Sequence, residues 1–407
     1  MRIHCKRVPN SKRIPYYRTV SDSELTRARL ATTLAFMMNG FSVGVLVSQL
    51  PDYKFHLKIS NGALGMALFL LAAGVLTALG PSGRWSAKHG SARVTILGSL
   101  SIILAMPLVG LSFNYLTFCI TLYLFGYSIA LQDVAMNTHA VTLEQRFKRR
   151  VMSTFHALYS VGALAGSAIG GLMAQGHIKE IFQECSVSIL FIVVLYFMKS
   201  RFLPASSDQQ EPRKHKRPKR PTIFWVMGLL GMSASIGEGS AGDWGGVLAR
   251  TTFHTSPFIG TLPYICFSIT MVTGRFLGDR LAHKFGPGQL LFFGGLIAGS
   301  GLATGLLIGG IGGEIFGWTL LGMGMCIVIP MIYSEAGTIA IHKFSGTIAP
   351  SEAVATVSGI SYFGFVVGPP IMGYISEAIT LRWAMLVPAA LGLALAAGSR
   401  YVIRQER

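Results

Sequence analysis

A few ionisable side chains lie inside long apolar stretches of this sequence, and they are the residues best placed to do chemistry. Asp133 and Asn137 are four residues apart, so they share one face of a helix. A charged group is costly inside a bilayer, and one found there marks a functional site by default. An acid beside an amide can exchange a proton or hydrogen-bond the hydroxyl groups of a solute. A structural hydrogen-bond pair to a neighbouring helix is the alternative.

The next apolar stretch adds a histidine and a tyrosine. His156 lies near its beginning, and a rise of about 1.5 Å per residue places it level with residues 137–139 of the preceding stretch. A histidine near an acid suits a proton relay or a ligand contact, and an interhelical hydrogen bond is an equal alternative. Tyr159 follows three residues later as a candidate cavity-lining residue, with core packing as its alternative.

Glu238 lies in a glycine-rich run that extends from Gly237 to Gly246. Such a run predicts a poorly continuous helix, and broken glycine-rich segments line cavities and gates in solute-moving membrane proteins. Close helix packing by small residues is the alternative. Asp243 and Trp244, near the end of the run, are expected to mark the outer membrane interface, where Trp is enriched.

Twelve apolar segments position these residues. Just over half of the residues are hydrophobic (51%) and only 13% are charged, too few to cover a soluble domain of this size. Each segment is near the length that crosses a bilayer as a helix, the one conformation that satisfies its own backbone there. The sequence therefore predicts an all-α membrane protein with transmembrane helices near 30–50, 61–82, 94–112, 115–143, 151–174, 184–201, 222–248, 256–279, 288–309, 313–335, 351–375 and 379–400.

Positive charge is concentrated in alternate connecting segments, including the loop with Arg84 and Lys88 and the loop with Arg280 and Lys284. A nucleic-acid-binding protein would gather its net charge of +18 on one face or domain. The positive-inside rule instead predicts a multi-pass protein of the inner (plasma) membrane with both termini in the cytoplasm. The basic stretch 202–221 is predicted to be a disordered cytoplasmic linker, with an anionic-lipid or nucleic-acid patch as the alternative.

Two short patterns recur about 200 residues apart. Arg84, Lys88 and Gly90 recur with the same spacing at positions 280, 284 and 286, and the Gly-x-x-x-Gly pair that ends at Gly166 recurs ending at Gly368. Six helices separate the copies, so the halves keep the same orientation and form parallel repeats. The predicted units are a cytoplasmic tail (1–29), an N-terminal six-helix bundle (30–201), the linker (202–221), a C-terminal six-helix bundle (222–400) and a second tail (401–407).

Sequence signals for enzyme, metal and cofactor chemistry are missing. The five cysteines form no Cys-x-x-Cys pair or Cys/His cluster, so neither a disulfide framework nor a metal site is predicted. There is no nucleophile elbow or phosphate-binding loop, so no catalytic residue and no cofactor is predicted.

This plan resembles the major facilitator superfamily over nearly the full length of the chain. Residues 83–93 resemble the basic loop motif of that family, with Ala87 in place of its aspartate, and residues 274–280 carry a similar copy that keeps the acid. The resemblance implies gating or conformational roles for Arg84, Lys88, Gly90, Asp279 and Arg280, and for the small-residue positions Gly166 and Gly368.

Three segments resemble the branch that holds the fucose permease and the uncharacterised YbjJ-type bacterial permeases. They are Asp133-Val134-Ala135-Met136-Asn137, the run from His156 to Gly162, and the run from Glu238 to Trp244. In the fucose permease the corresponding acid takes part in proton coupling, so the resemblance implies that role for Asp133.

The first functional hypothesis is a monomeric permease that moves a small polar solute, sugar-like or a related metabolite, together with protons. The second is a proton-driven exporter of drugs or metabolites. The third is a transport-inactive sensor or scaffold with the same fold. The substrate and proton site is predicted at Asp133, Asn137, His156, Tyr159 and Glu238.

Overall fold

The computed structural model describes residues 21–147, 151–204, 221–344, 347–348 and 350–406. Residues 1–20, the basic segment 148–150, most of the predicted linker (205–220) and residue 407 lie outside the described residues. The described part folds into the helices α1 (Asp22–Leu57), α2 (Asn61–His89), α3 (Ser91–Gly110), α4 (Tyr115–Phe147), α5 (Met152–Gln175), α6 (Glu180–Met198), α7 (Thr222–Thr252), α8 (Pro257–Phe285), α9 (Pro287–Ile308), α10 (Gly310–Met325), α11 (Val328–Lys343), α12 (Pro350–Ile379), α13 (Leu381–Ala384) and α14 (Leu386–Glu406).

These helices make twelve membrane-length segments, because α10 and α11 continue one another across a short break, as do α13 and α14. Within the described chain, eleven segments are long and apolar enough to cross a membrane. The twelfth is α7, which carries Glu238 and Asp243 and falls short in mean hydropathy. The predicted all-α fold of twelve transmembrane helices is confirmed.

Helices extend beyond the apolar segments that predicted them. The first begins at Asp22 rather than at residue 30, because Ser21 and Glu24 form a capping box that satisfies free amides at its start. The last continues to Glu406, so part of each predicted tail, 1–29 and 401–407, is helical. Apolar length reveals only the part of a helix that lies in hydrocarbon, and polar ends that continue it remain hidden.

The two halves repeat the same helix ends. Gly90 ends α2 at φ 84° and ψ 142°, and Gly286 ends α8 at φ 79° and ψ 151°, a conformation that favours glycine. Lys58 after α1 and His254 after α7 also share a left-handed conformation, with φ of 52° and 51°. Both pairs are 196 residues apart, so the repeat predicted from the loop sequence is present in the backbone geometry.

Glycines bring α1 and α5 into backbone contact inside the N-terminal half. A Cβ atom at Gly40 would overlap the carbonyl oxygen of Tyr159, and one at Gly166 would overlap that of Phe41. Gly44 and Gly162 make equivalent approaches in the same crossing. Membrane helices associate through such close packing because the lipid supplies no hydrophobic drive between them.

The halves meet at one end of the molecule. We call the end where α2 meets α3 and α8 meets α9 the basic end, and the other the opposite end. Within the described ranges, the extensive contacts between halves pair α2 with α12, α5 with α8, and α1 with α7. They include the hydrogen bond from Phe258 to Gln175 (3.3 Å) at the opposite end. The cavity between the halves is therefore closed at the opposite end.

Gly166→Ala is expected to destabilise the protein, because the added methyl group forces α1 and α5 apart; such overpacking costs about 1–3 kcal/mol. Gly368→Ala is the matched control, since a Cβ atom there lies 3.7 Å from Ile236, an ordinary contact. Thermal unfolding of the purified protein in detergent should show a lower melting temperature for the first variant alone. Equal melting temperatures for both variants would contradict the packing argument.

Candidate functional site

Asp133 and Asn137 lie on one face of α4, as their spacing requires. The amide nitrogen of Asn137 donates to the Asp133 carboxylate at 3.0 Å and to the backbone oxygen of Asp133 at 2.9 Å. Both side chains are half-buried rather than enclosed in the helix bundle. The amide orients the carboxyl group and leaves part of it accessible to a solute.

A buried polar network behind Asp133 fixes the rotation of α4. Gln132 is fully buried; its carbonyl oxygen accepts from Asn39 on α1 at 2.8 Å, and its nitrogen donates to Ser99 on α3 at 2.7 Å. Because neighbouring residues on a helix point about 100° apart, anchoring Gln132 holds Asp133 towards the cavity. Sequence reasoning missed this network, although three polar residues inside apolar segments were its signal.

Glu144 sets the height of α5 against α4. Its carboxylate accepts the backbone amides of Val151 and Met152 at 2.8 and 3.0 Å, which satisfies free amides at the start of α5. Tyr159 follows Met152 by seven residues, and Asn137 precedes Glu144 by seven residues on the antiparallel helix. Both residues therefore lie about 10 Å from the Glu144 contact, on the same side of it. Tyr159 therefore lies level with Asn137.

His156 lies one turn nearer the basic end than Tyr159. Its ring is exposed and packs edge-on against Phe36 of α1 at 5.3 Å between ring centroids. It also lies within electrostatic range of Arg275, which belongs to the C-terminal half. This histidine therefore faces the space between the halves.

The C-terminal half presents an ion pair to the same space. The Arg275 guanidinium on α8 lies 3.3 and 3.4 Å from the two carboxylate oxygens of Glu238 on α7, and both side chains are about one-third exposed. These long contacts and partial exposure make the pair a weak one. Sequence reasoning missed Arg275, although an arginine inside an apolar segment was its signal.

A break between α10 and α11 lies beside this arginine. A Cβ atom at Gly274 would overlap the sulfur of Cys326, and one at Gly278 would lie 3.0 Å from Ile327. Cys326 and Ile327 are the residues at the break. The close approach of α8 to this irregular backbone sets the position from which Arg275 enters the cavity.

Side chains of both halves converge on the cavity. Tyr159 lies within electrostatic range of Asp133 and Glu238, and Tyr362 on α12 lies within range of the same two acids. Tyr264 and Tyr333 complete an aromatic lining around the ion pair. The structure thus brings the five predicted site residues near one another between the halves: Asp133, Asn137, His156, Tyr159 and Glu238.

Two expectations for α7 are wrong. The glycine-rich run around Glu238 does not interrupt the helix, which is continuous from Thr222 to Thr252. Packing overrides weak helix propensity there, since a Cβ atom at Gly245 would lie 3.6 Å from Pro263 and 3.7 Å from Trp318. Trp244 is fully buried rather than at the lipid interface, and Asp243 is half-buried beside it, so the aromatic side chain serves the core.

The residues predicted to act in gating lie apart from this cavity, at the ends of α2 and α8 or within helix crossings. Arg84, Lys88 and Arg280 are exposed at the basic end, and Gly90 ends α2. The side chain of Asp279 lies outside the described part of the structure. The two predicted small-residue positions differ from each other in packing. Gly166 packs tightly against α1, whereas Gly368 has room beside it.

The closed opposite end is held by polar contacts between the halves. Arg250 on α7 forms an ion pair with Asp52 on α1, and its guanidinium also packs on the ring of Phe55 at 5.2 Å. At the second contact Glu377 on α12 accepts the backbone amide of Gly62, at the start of α2, at 2.8 Å. A carboxylate at a helix amino terminus is favoured by the helix dipole, so this contact joins α2 to α12.

Comparison with known proteins gives consistent matches. A family model described as Major Facilitator Superfamily matches residues 32–349. The chain is 29% identical to membrane protein MosC of Rhizobium meliloti over 380 residues, covering 92% of this chain and 90% of that protein. It is 30% identical over 380 residues to an uncharacterised MFS-type transporter of Yersinia pestis, covering 92% and 96%.

The fold also matches solved structures. A bacterial homologue of the human lysosomal transporter Spinster, in an inward-facing and unoccupied conformation, is similar with a TM-score of 0.73 at 14% identity, covering 95% of this chain and 98% of that one. The family model covers well over half of the sequence. On this basis the chain belongs to the Major Facilitator Superfamily, whose members are secondary transporters of the membrane and not enzymes.

Proposed function

We propose that this transporter moves a small polar solute, sugar-like or a related metabolite, by alternating access, and that protons exchanged at Asp133 drive the movement. The observation that carries the proposal is the half-buried Asp133 carboxyl group, which faces a cavity lined by both halves. The resemblance of residues 133–137 to the fucose permease branch supports the same role.

The surroundings of Asp133 favour proton exchange. Among the described residues its side-chain hydrogen-bond donor is the neutral amide of Asn137, and no Lys or Arg forms an ion pair with it. A carboxylate without a cation is costly away from water, so taking up a proton removes most of that cost. Closure of the cavity therefore favours the protonated form of the Asp133 carboxyl group, and the return of water favours the ionised form.

The other cavity residues suit a hydroxyl-rich solute. Asn137 offers an amide, the Glu238–Arg275 pair offers both acceptors and donors, and four tyrosines add hydroxyl groups and flat rings. Ligand pockets combine such an apolar lining with a few well-placed polar groups. Because both halves contribute, a relative movement of the halves changes access to the site without rebuilding it.

Loop charge supports placing the basic end on the cytoplasmic side of the inner membrane, with both termini on that side. With the opposite end closed by the Asp52–Arg250 pair and the Glu377 contact, the structure is then an inward-open state. One chain supplies both faces of the cavity, which supports a monomer as the working unit.

Asp133→Asn is expected to abolish accumulation driven by a pH gradient while leaving some exchange, because the amide cannot carry a proton. The measurement uses proteoliposomes and a labelled ligand found by thermal-shift screening against sugars, organic acids and drugs. Asp22→Asn is the matched control, since it makes the same change at an exposed carboxylate in the first turn of α1, outside the cavity. Undiminished driven accumulation by the Asp133→Asn variant would refute the coupling role, and energised efflux of broad apolar compounds would indicate an exporter instead.

Arg250→Gln is expected to shift the protein towards an outward-open state, because the Asp52 carboxylate loses its partner across the halves. A change of about 1 kcal/mol alters the ratio of two states roughly fivefold. Spin labels are placed on α1 and α7 at the opposite end of the molecule, and the distance between them is measured by pulsed electron paramagnetic resonance. The variant should show an additional population with a longer distance. Lys179→Gln removes an exposed charge at the same end and should leave the distances unchanged; an equal response of both variants would contradict the gate.

A further inference from the structure

A groove opens on the lipid-facing side of the N-terminal half, where α2 ends and α3 begins. It has a volume of about 320 Å³ and is lined by Trp85, His89, Arg93, Val94 and Leu97. The first three side chains are exposed, whereas Val94 is buried and forms the floor. The groove therefore has a cationic and aromatic rim over an apolar base, at the basic end of the helices.

The lining residues go beyond what membrane topology requires. The flanking Arg84 and Lys88 recur 196 residues later as Arg280 and Lys284, as expected of charges that set orientation. The three rim residues do not recur, because the corresponding positions hold Leu281, Phe285 and Gln289. A feature present in one repeat alone points to a ligand rather than to insertion.

An apolar track continues from the groove along α3. Leu97, Leu100, Leu104 and Leu108 are all exposed on one side of the helix, with Leu104 the most exposed at 68%. Helix α9 exposes apolar residues in the corresponding place, including Phe293 and Leu296, so the track alone is ordinary membrane surface. What is particular to α3 is a track that begins at a cationic rim, which matches a molecule with an anionic head and a hydrocarbon tail.

We propose that this groove binds the headgroup of an anionic phospholipid, with an acyl chain along the leucine track. The Arg93 guanidinium can pair with the phosphate through two N–H groups, and the His89 imidazole can donate a further hydrogen bond. Trp85 suits the headgroup level of a bilayer, where indole rings are enriched. Basic pockets between helices at the cytoplasmic face hold such headgroups.

The bound lipid bears on the helix that carries the substrate site. Val94, the groove floor, packs against Leu131 and Ala135 of α4, which flank Asp133 by two residues on each side. Ser82 of α2 donates to the backbone oxygen of Leu131 at 2.9 Å. A lipid that joins the ends of α2 and α3 thereby stiffens the support of α4.

The test is a thermal-shift titration of the detergent-purified full-length protein, with phosphatidylglycerol, phosphatidylcholine and soluble glycerol phosphate as probes. Phosphatidylglycerol alone is expected to raise the melting temperature of the native protein. His89→Gln with Arg93→Gln should remove that response, whereas Arg280→Gln with Lys284→Gln, which removes two charges from the equivalent loop, should keep it. Native mass spectrometry should detect lipid that stays bound to the native protein and to the Arg280→Gln, Lys284→Gln variant. The His89→Gln, Arg93→Gln variant should lose that lipid.

Three outcomes would overturn the proposal. Equal loss of the response in both double variants would indicate general attraction to charge, and an equal shift by glycerol phosphate would indicate a soluble anion. Equal shifts by both phospholipids would remove the role of headgroup charge.

All lining side chains to be changed are exposed, so folding is retained, and the single variant Arg93→Gln repeats the test with a smaller change. Because binding is read without transport, the result stands apart from the coupling role of Asp133.

Discussion

The cost of an unpaired charge away from water governs how this molecule places its polar residues. Glu238 faces Arg275, and Asp52 faces Arg250, so each of these acids has a cation beside it. Asp133, among the residues that the structure describes, has only an amide. A proton best removes the charge of an acid that has no cation beside it, so this difference supports the proposed coupling role of Asp133.

A second constraint makes the halves behave as units. Inside each half, glycines bring helix backbones into contact, as Gly40 does against α5 and Gly364 does against the backbone of α7. Between the halves, glycine approaches such as that of Gly65 to the carbonyl oxygen of Pro369 occur beside polar contacts, including the Asp52–Arg250 pair and the amide of Gly62 held by Glu377. Tight packing within each half, with the contacts between the halves gathered at the opposite end, fits the proposed movement of two units about a shared cavity.

Sequence alone predicted the twelve-helix fold, because apolar length and loop charge report directly on the bilayer. It also proposed five candidate site residues, since polar groups in apolar segments stand out, and their roles stay predictions. It missed Arg275 and Gln132 as partners, because partners on different helices depend on packing angles that spacing along one helix does not encode. It was wrong about α7, which is continuous from Thr222 to Thr252 because packing outweighs the weak helix propensity of glycine. The predicted helix ends were displaced for a different reason, because a cap such as Ser21 acts outside the apolar segment.

Two further acids sharpen the choice of Asp133 as the proton-exchanging group. Glu184 on α6 and Glu314 on α10 are 1% and 2% exposed, and each has one buried oxygen without a hydrogen-bond partner among the described residues. Trp318 donates to the other oxygen of Glu314 at 3.2 Å, which ties that acid into the core of one half. An acid enclosed within one half keeps its surroundings as the halves move, so the movement gives it no reason to exchange a proton. Asp133 lies at the boundary between the halves, where the proposed movement would change both the access of water and the tendency of the carboxyl group to hold a proton.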